Sequence, residues 1–342
     1  MSLADALFPE TRQTLPGLLH AVPDGAMDRR AVGSGGTALV AGASGFIGRR
    51  LAQPGERRLV RRFTGAADEA VGDLGDAASL AAACAGVDTV FHCAGYAHAF
   101  GHADPEAHGR INFEGTRNLV AAAAAAGVRR FVFLSSVKAM AEAGDACADE
   151  DWPGAPNTPY GKAKRAAEEA VLEAGVRHGM HVVNLRLAMV YGRGGRGNLE
   201  RMANAMRAGW FPPLPETGNR RSLVHVQDVV EVMRLVAARA EANGRTYIVA
   251  DARAYSGREI QDALRAVLGK PTVRWSVPAG LLRAAGRLNG RLGEVVDRLI
   301  GSACYSPARI ERELGWRARI GLEAGLREML GAAGGCPARP TG

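Results

Sequence analysis

The stretch Thr37-Ala38-Leu39-Val40-Ala41-Gly42-Ala43-Ser44-Gly45-Phe46-Ile47-Gly48 narrows the possible folds more than any other part of this chain. A short apolar run breaks into evenly spaced glycines and then turns amphipathic, which reads as strand, tight turn, helix. Gly42 permits the sharp turn, Gly45 lets backbone N–H groups approach a phosphate, and Gly48 lets the helix pack closely on the strand. Ser44, Phe46 and Ile47 lie in the same turn and present further backbone N–H groups. The chain has 44 glycines, so the spacing alone is weak. Its position after a strand and at a helix start gives it weight.

A second signature lies well downstream. Phe131-Val132-Phe133-Leu134 ends in Ser135-Ser136, and Tyr160-Gly161-Lys162-Ala163-Lys164 follows. Pro159 suits the first helical position with Thr158 or Asn157 as cap, so Tyr160 and Lys164 fall one turn apart on one helix face. An ammonium beside a phenol favours the phenolate, so Tyr160 is expected below its ordinary pKa and usable as a general acid or base. The chain has four lysines, Lys138, Lys162, Lys164 and Lys270, and takes its other basic side chains from arginine. Lysine therefore stands where a titratable amine is useful.

Glycine turn, Ser136, Tyr160 and Lys164 together resemble the extended branch of the short-chain dehydrogenase/reductase superfamily. The resemblance implies an α/β fold, a doubly wound parallel sheet (Rossmann) with a smaller C-terminal substrate lobe. It implies catalysis by Ser136, Tyr160 and Lys164, with Lys164 also reaching the nicotinamide ribose. Gly72-Asp73-Leu74 matches the loop whose aspartate bonds adenine, Cys93-Ala94-Gly95 the strand end beneath the cofactor, and Asn112 with Gly115-Thr116 a helix start. Asn198 and the run Asn219-Arg220-Arg221-Ser222 are similar to the nucleotide-sugar branch, which includes UDP-galactose 4-epimerase and 4-reductases of UDP-4-keto-6-deoxy sugars. In that branch the positions of Asn198 and Arg221 hold the UDP diphosphate, for which a guanidinium fork is well shaped. The substrate expected from the resemblance is a UDP-linked sugar, and the assembly a homodimer. A hydroxysteroid or flavonol-type dehydrogenase is the alternative within the fold, and a non-catalytic NAD(P)-binding sensor the alternative outside catalysis.

Two departures stand out. Helix one is cut by one turn of ~3.6 residues, and Pro54 ends the remainder. At the end of strand two, where an acid would meet an NAD ribose, the chain has Arg61 and Arg62. The cofactor is thus NADP or NAD, with the arginines favouring NADPH.

Strand and helix alternate from Thr37 onward, as in a parallel sheet. Strands are expected at Leu59-Val60, Glu69-Val71, Val87 to Cys93, Phe131 to Leu134 and His181 to Val190. Leu223 to Ala238 and Tyr247 to Ala250 are expected to return to the large sheet. The expected organisation is a tail and linker over 1–36, a dinucleotide-binding domain over 37–185 plus 222–252, a substrate lobe over 186–221 plus 253–331, and a tail over 332–342.

With 342 residues, 47% of them hydrophobic, the chain can bury a full core. Its net charge of +8 is spread without a basic block, and aromatics make up 6%. This suits an anionic small substrate better than nucleic acid. Cys84, Cys93, Cys147, Cys304 and Cys336 show no C-x-x-C spacing and read as reduced thiols of a cytoplasmic protein. His98, His102 and His108 with Asp104 and Glu106 read as a polar loop, and no metal site is expected. No apolar run reaches the ~18 residues of a membrane span. Leu281 to Ile300, with arginines recurring along one side, reads as an amphipathic helix packed on the protein. Residues 1–36 lack a signal-peptide pattern, and Met27 offers a second start.

Overall fold

The structure, a computed structural model, describes residues 37–96, 105–195, 197–288 and 290–331. The expectations for residues 1–36 and 332–342, and for His98, His102, Asp104 and Cys336, lie outside the described residues.

Seven parallel strands form the central sheet: β1 (Ala38–Ala41), β2 (Arg57–Val60), β3 (Glu69–Val71), β4 (Thr89–His92), β5 (Arg130–Ser136), β7 (His181–Leu187) and β10 (Arg245–Val249). Their spatial order is β10-β7-β5-β4-β1-β2-β3. The order reverses between β1 and β4, which opens a crevice at the carboxyl ends of those two strands. β1 and β4 are buried along their whole length, as strands covered on both faces must be.

The helices are α1 (Gly48–Leu51), α2 (Ala77–Cys84), α3 (Gly115–Ala125), α4 (Pro159–His178), α5 (Asn198–Arg207), α6 (Val226–Ala238), α7 (Gly257–Val267), α8 (Ala279–Leu288), α9 (Gly290–Ile300), α10 (Ala308–Leu314) and α11 (Leu322–Leu330). A π-helical stretch, His108–Glu114, leads into α3. One face of the sheet packs on α2, α3 and α4 through Leu80, Leu119 and Val171. The other packs on α6 and α10 through Val229, Met233 and Ile310. A third apolar cluster joins α5, α7 and α11 through Met202, Ile260 and Leu326.

Three expectations need correction. The run His181 to Val190 is two strands: β7 ends at Leu187, where the pairings with both its neighbours end, opposite Ser136 of β5 and Val249 of β10. Met189–Tyr191 (β8) instead pairs with Leu223–His225 (β9) in a separate two-stranded sheet. Leu223–Ala238 thus contributes no strand to the large sheet, and only β10 rejoins it. Cys147 and Cys304 are not reduced thiols: they face each other on the short parallel strands β6 (Cys147–Ala148) and β11 (Cys304–Tyr305) and are disulfide-bonded. Cys84 and Cys93 are free.

Candidate active site

The glycine turn shows three different packing demands. Gly42 has a φ of +83°, and a Cβ there would lie 2.6 Å from the Ala94 nitrogen. A Cβ at Gly48 would lie 2.2 Å from the Gly42 carbonyl oxygen. Gly45 is exposed, and its nearest neighbour would be that same oxygen at 3.1 Å. The first and third glycines let helix and strands approach; the second leaves open space in front of the turn. Ser44, Phe46 and Ile47 complete it, and Ile47 lines the cavity described below.

α1 is a single turn, shorter than the sequence departure suggested. A one-turn helix has little macrodipole, and its neighbours hold it by side chains. Arg50 Nη1 donates to the Phe46 carbonyl at 3.0 Å, and its guanidinium lies over the Phe46 ring. Arg49 Nη2 donates to the Gly194 carbonyl at 3.0 Å. From α6, Arg234 donates to the Leu51 carbonyl and to Glu56 at 2.7 Å.

Beyond β2, Arg61 and Arg62 are exposed. Asp73 is exposed, and its Oδ1 accepts from the Gly75 N–H at 2.8 Å. Leu74 packs against Gly115, where a Cβ would come within 2.9 Å of it. Ala94 and Gly95 follow β4 directly above Gly42. Asn112 is buried and clamps this strand end, accepting from the Tyr96 N–H at 2.6 Å and donating to its carbonyl at 2.9 Å.

Ser136 ends β5, and α4 supplies the other two groups. Thr158 caps α4 by accepting from the Gly161 N–H at 3.0 Å, with Pro159 in the first turn. A Cβ at Gly161 would lie 2.2 Å from the Lys138 carbonyl oxygen, so glycine lets α4 press onto the end of β5. Tyr160 meets the Ser136 hydroxyl by a hydrogen bond and packs edge-on against His108, 5.5 Å between ring centres. Lys164 is buried; its Nζ donates to the Leu134 carbonyl at 2.7 Å and stands 4.6 Å from the centre of the Phe133 ring. Lys162 is exposed on another face.

A cavity of about 260 Å³ is lined by Ile47, Gly95, Asn112, Ser136, Tyr160 and Lys164. The structure thus brings the glycine turn, the end of β4 and the Ser, Tyr and Lys side chains to one crevice. It does not lower the Tyr160 phenol as expected. Burial pushes the Tyr160 phenol up, and the Ser136 hydrogen bond only partly offsets this. Burial also lowers Lys164 to about 8, against the pull of Glu168 and Cys93. The ammonium is satisfied by a carbonyl, and desolvation outweighs pairing.

A second cavity of about 690 Å³ is lined by both Asn198 and Arg221, together with Met202, Phe211, Ile260 and Leu299. Asn198 begins α5. Arg221 Nη1 donates to the Gly301 carbonyl at 2.9 Å, one of the five N–H donors of a guanidinium.

Sequence reading missed the buried support beneath Lys164. Glu168, one turn further along α4, accepts from Ser135 Oγ at 2.5 Å and from Arg186 Nη2 at 2.7 Å. Its signal is the spacing of four from Lys164, which sets it on the face shared by Tyr160 and Lys164. His108, expected in a polar loop, packs against both Tyr96 and Tyr160.

Residues 38–250 match the profile of the "NAD dependent epimerase/dehydratase family". The chain is 29% identical to UDP-glucose 4-epimerase of Vibrio cholerae over 314 residues, 86% of this chain and 94% of that one. It is 27% identical to 3-beta-hydroxysteroid dehydrogenase of Mycolicibacterium neoaurum over 331 residues, 86% of this chain and 90% of that one. Among solved structures it is similar to MoeE5 in complex with UDP-glucose and NAD, with TM-score 0.69 and 27% identity, covering 86% of this chain and 98% of that one.

Proposed function

This chain belongs to the NAD dependent epimerase/dehydratase family, and from that premise we propose that it transfers a hydride at C4 of a UDP-linked sugar, as an epimerase or a 4-reductase. The convergence of Ser136, Tyr160 and Lys164 on the crevice beside the glycine turn carries this reading.

The residues present suit a nicotinamide dinucleotide. The open space at Gly45 would take the pyrophosphate, Ala94, Gly95 and Asn112 would flank it, and the loop of Asp73 and Leu74 would face the adenine. When bound, the nicotinamide supplies the hydride acceptor or donor. Tyr160 Oη exchanges a proton with the sugar C4 oxygen, and Ser136 Oγ holds that oxygen by a hydrogen bond. Lys164 secures the ribose and keeps a positive charge behind Tyr160. That charge matters because burial alone opposes the phenolate. Asn198 and Arg221 hold the diphosphate, and Arg221 reaches its place already anchored to Gly301. NAD is favoured by the family description and by the NAD in MoeE5. Arg61 and Arg62 favour a 2′-phosphate.

The largely aliphatic lining of the larger cavity supports a second reading, a hydroxysteroid-type dehydrogenase, as does the Mycolicibacterium neoaurum relative. Incubating the enzyme with UDP-glucose, and separately with a 3β-hydroxysteroid and NAD, separates the two. Denaturing the purified protein and identifying the released nucleotide separates epimerase from reductase. Tightly held NAD with C4 inversion supports the epimerase, and exchangeable cofactor with net reduction supports the reductase. Turnover of the steroid alone would overturn the sugar reading.

A further inference from the structure

Four of the large apolar side chains exposed on this molecule gather around one face. Trp210 is 72% exposed, Trp275 65%, Leu281 62% and Val295 48%. Trp210 and Val295 line the rim of the larger cavity. The segment of Trp275 runs beside that rim, where the Val277 N–H donates to the Pro213 carbonyl at 3.0 Å. Leu281 lies on α8, which forms a close hairpin with α9: a Cβ at Gly286 would lie 3.2 Å from the Gly293 Cα. The inner side of the hairpin, Leu282 and Val296, lines the cavity.

The stretch that carries this face is basic. From Lys270 to Ile300 the chain has Lys270, Arg274, Arg283, Arg287, Arg291 and Arg298 against Glu294 and Asp297. Arg274, Arg283, Arg287 and Arg298 are exposed, the last of them paired with Glu294 at 2.9 Å. Exposed apolar side chains together with exposed arginines are what binding to an anionic lipid surface uses. Among the described residues no helix is long and apolar enough to cross a membrane. A second copy is a poor occupant, because a two-fold contact would set this basic stretch against the same stretch of its copy.

We propose that the α8–α9 hairpin and the Trp275 segment dock this protein on an anionic lipid bilayer, with the mouth of the larger cavity at the membrane surface. Trp275 and Leu281 enter the headgroup region, and Arg274, Arg283 and Arg287 meet lipid phosphates. The inference goes beyond the proposed hydride chemistry and does not depend on it.

Vesicle co-sedimentation of the full chain tests it. Vesicles of equal parts phosphatidylcholine and phosphatidylglycerol should retain about tenfold more protein than phosphatidylcholine alone, and high salt should release most of it. The double variants Trp275→Ser/Leu281→Ser and Arg283→Glu/Arg287→Glu alter exposed positions outside the proposed site. Each should lose most vesicle binding while keeping parental turnover of a soluble substrate and an unchanged melting temperature. No sedimentation with anionic vesicles would overturn the proposal. So would binding that both variants retain, or a dimer in solution that the variants dissociate, since a second copy would then own the face.

Discussion

Tyr160 touches Ser136 and His108 and stands one helical turn from a lysine that bonds elsewhere. Tyr160→Phe keeps the ring packing and removes the exchangeable proton, so kcat should fall about 10²–10⁴-fold with KM little changed. Lys164→Met should lower both turnover and cofactor affinity, whereas the exposed Lys162 should tolerate Met. Equal damage from the two lysine changes, in folded variants, would mean that α4 does not aim Tyr160 and Lys164 together. Arg61 and Arg62 carry a second test. The Arg61→Ala/Arg62→Ala variant should lose affinity for NADPH and keep its affinity for NADH, as read by titration of each. A third concerns a carboxyl outside the site. Burial, with the Asp228 charge behind it, raises Asp251 from 3.8 to about 7. Between those pH values the native state holds a proton that the unfolded chain has released, so stability falls as pH rises and the penalty is complete above 7. Asp251→Asn should match the parent near pH 4 and exceed it at pH 8 by about 1–4 kcal/mol, measured by denaturant midpoints. An equal gain at both pH values would remove the titration as its cause. Spacing along one helix made Tyr160 and Lys164 legible as a pair, because a helical turn is a local ruler. The direction of the Tyr160 shift was not legible, because burial depends on β5 and the π-helical stretch meeting α4.

At the scale of elements, the glycine turn was readable because each glycine answers to atoms a few residues away or on the adjoining strand. The break between β7 and β8 was not. The run His181 to Val190 holds no turn residue, and β7 ends where its pairings with β5 and β10 both end, a fact of register that periodicity does not contain. The loss of helix in α1 was legible from Pro54, but its repair was not. Arg49, Arg50 and Arg234 reach that single turn from its own surface and from α6, and their carbonyl bonds stand in for the missing turn. Two glycine substitutions separate binding from folding here. A Cβ at Gly45 comes within 3.1 Å of one backbone atom, the Gly42 carbonyl oxygen, so Gly45→Val should stay folded while dinucleotide affinity falls at least about tenfold, ~1.4 kcal/mol or more. Gly48→Ala puts a methyl against the Gly42 carbonyl and should lower thermal stability directly. Calorimetric titration and melting curves read the two effects. A Gly45→Val protein that binds the dinucleotide as the parent does would move the phosphate site away from this turn.

Across the whole molecule, the alternation of strand and helix predicted the parallel sheet, because each βαβ unit is specified within a short stretch of chain. Contacts between distant stretches left no such trace. Cys147 and Cys304 are separated by 157 positions, yet they lie opposite each other in β6 and β11. Around them Ser302 Oγ donates to Asp145 Oδ1 at 2.9 Å, and Arg220 Nη2 donates to the Asp145 carbonyl at 2.6 Å. This seam joins the stretch that follows Ser136 to the stretch whose Ala303 carbonyl accepts the Ser222 N–H, next to Arg221. The cross-link therefore closes a long loop between two regions that both contribute to the proposed site. Closing a loop of that length restricts the unfolded chain and stabilises the native state by up to about 3–5 kcal/mol. Reduction with dithiothreitol should lower the melting temperature by several degrees, and Cys304→Ser should lower it to the same value. The reductant should then have no further effect on the variant, since Cys84 and Cys93, the other cysteines among the described residues, are already free. A parent whose melting is indifferent to reductant would show that the two thiols meet without bonding, and that hydrogen bonds alone hold the seam.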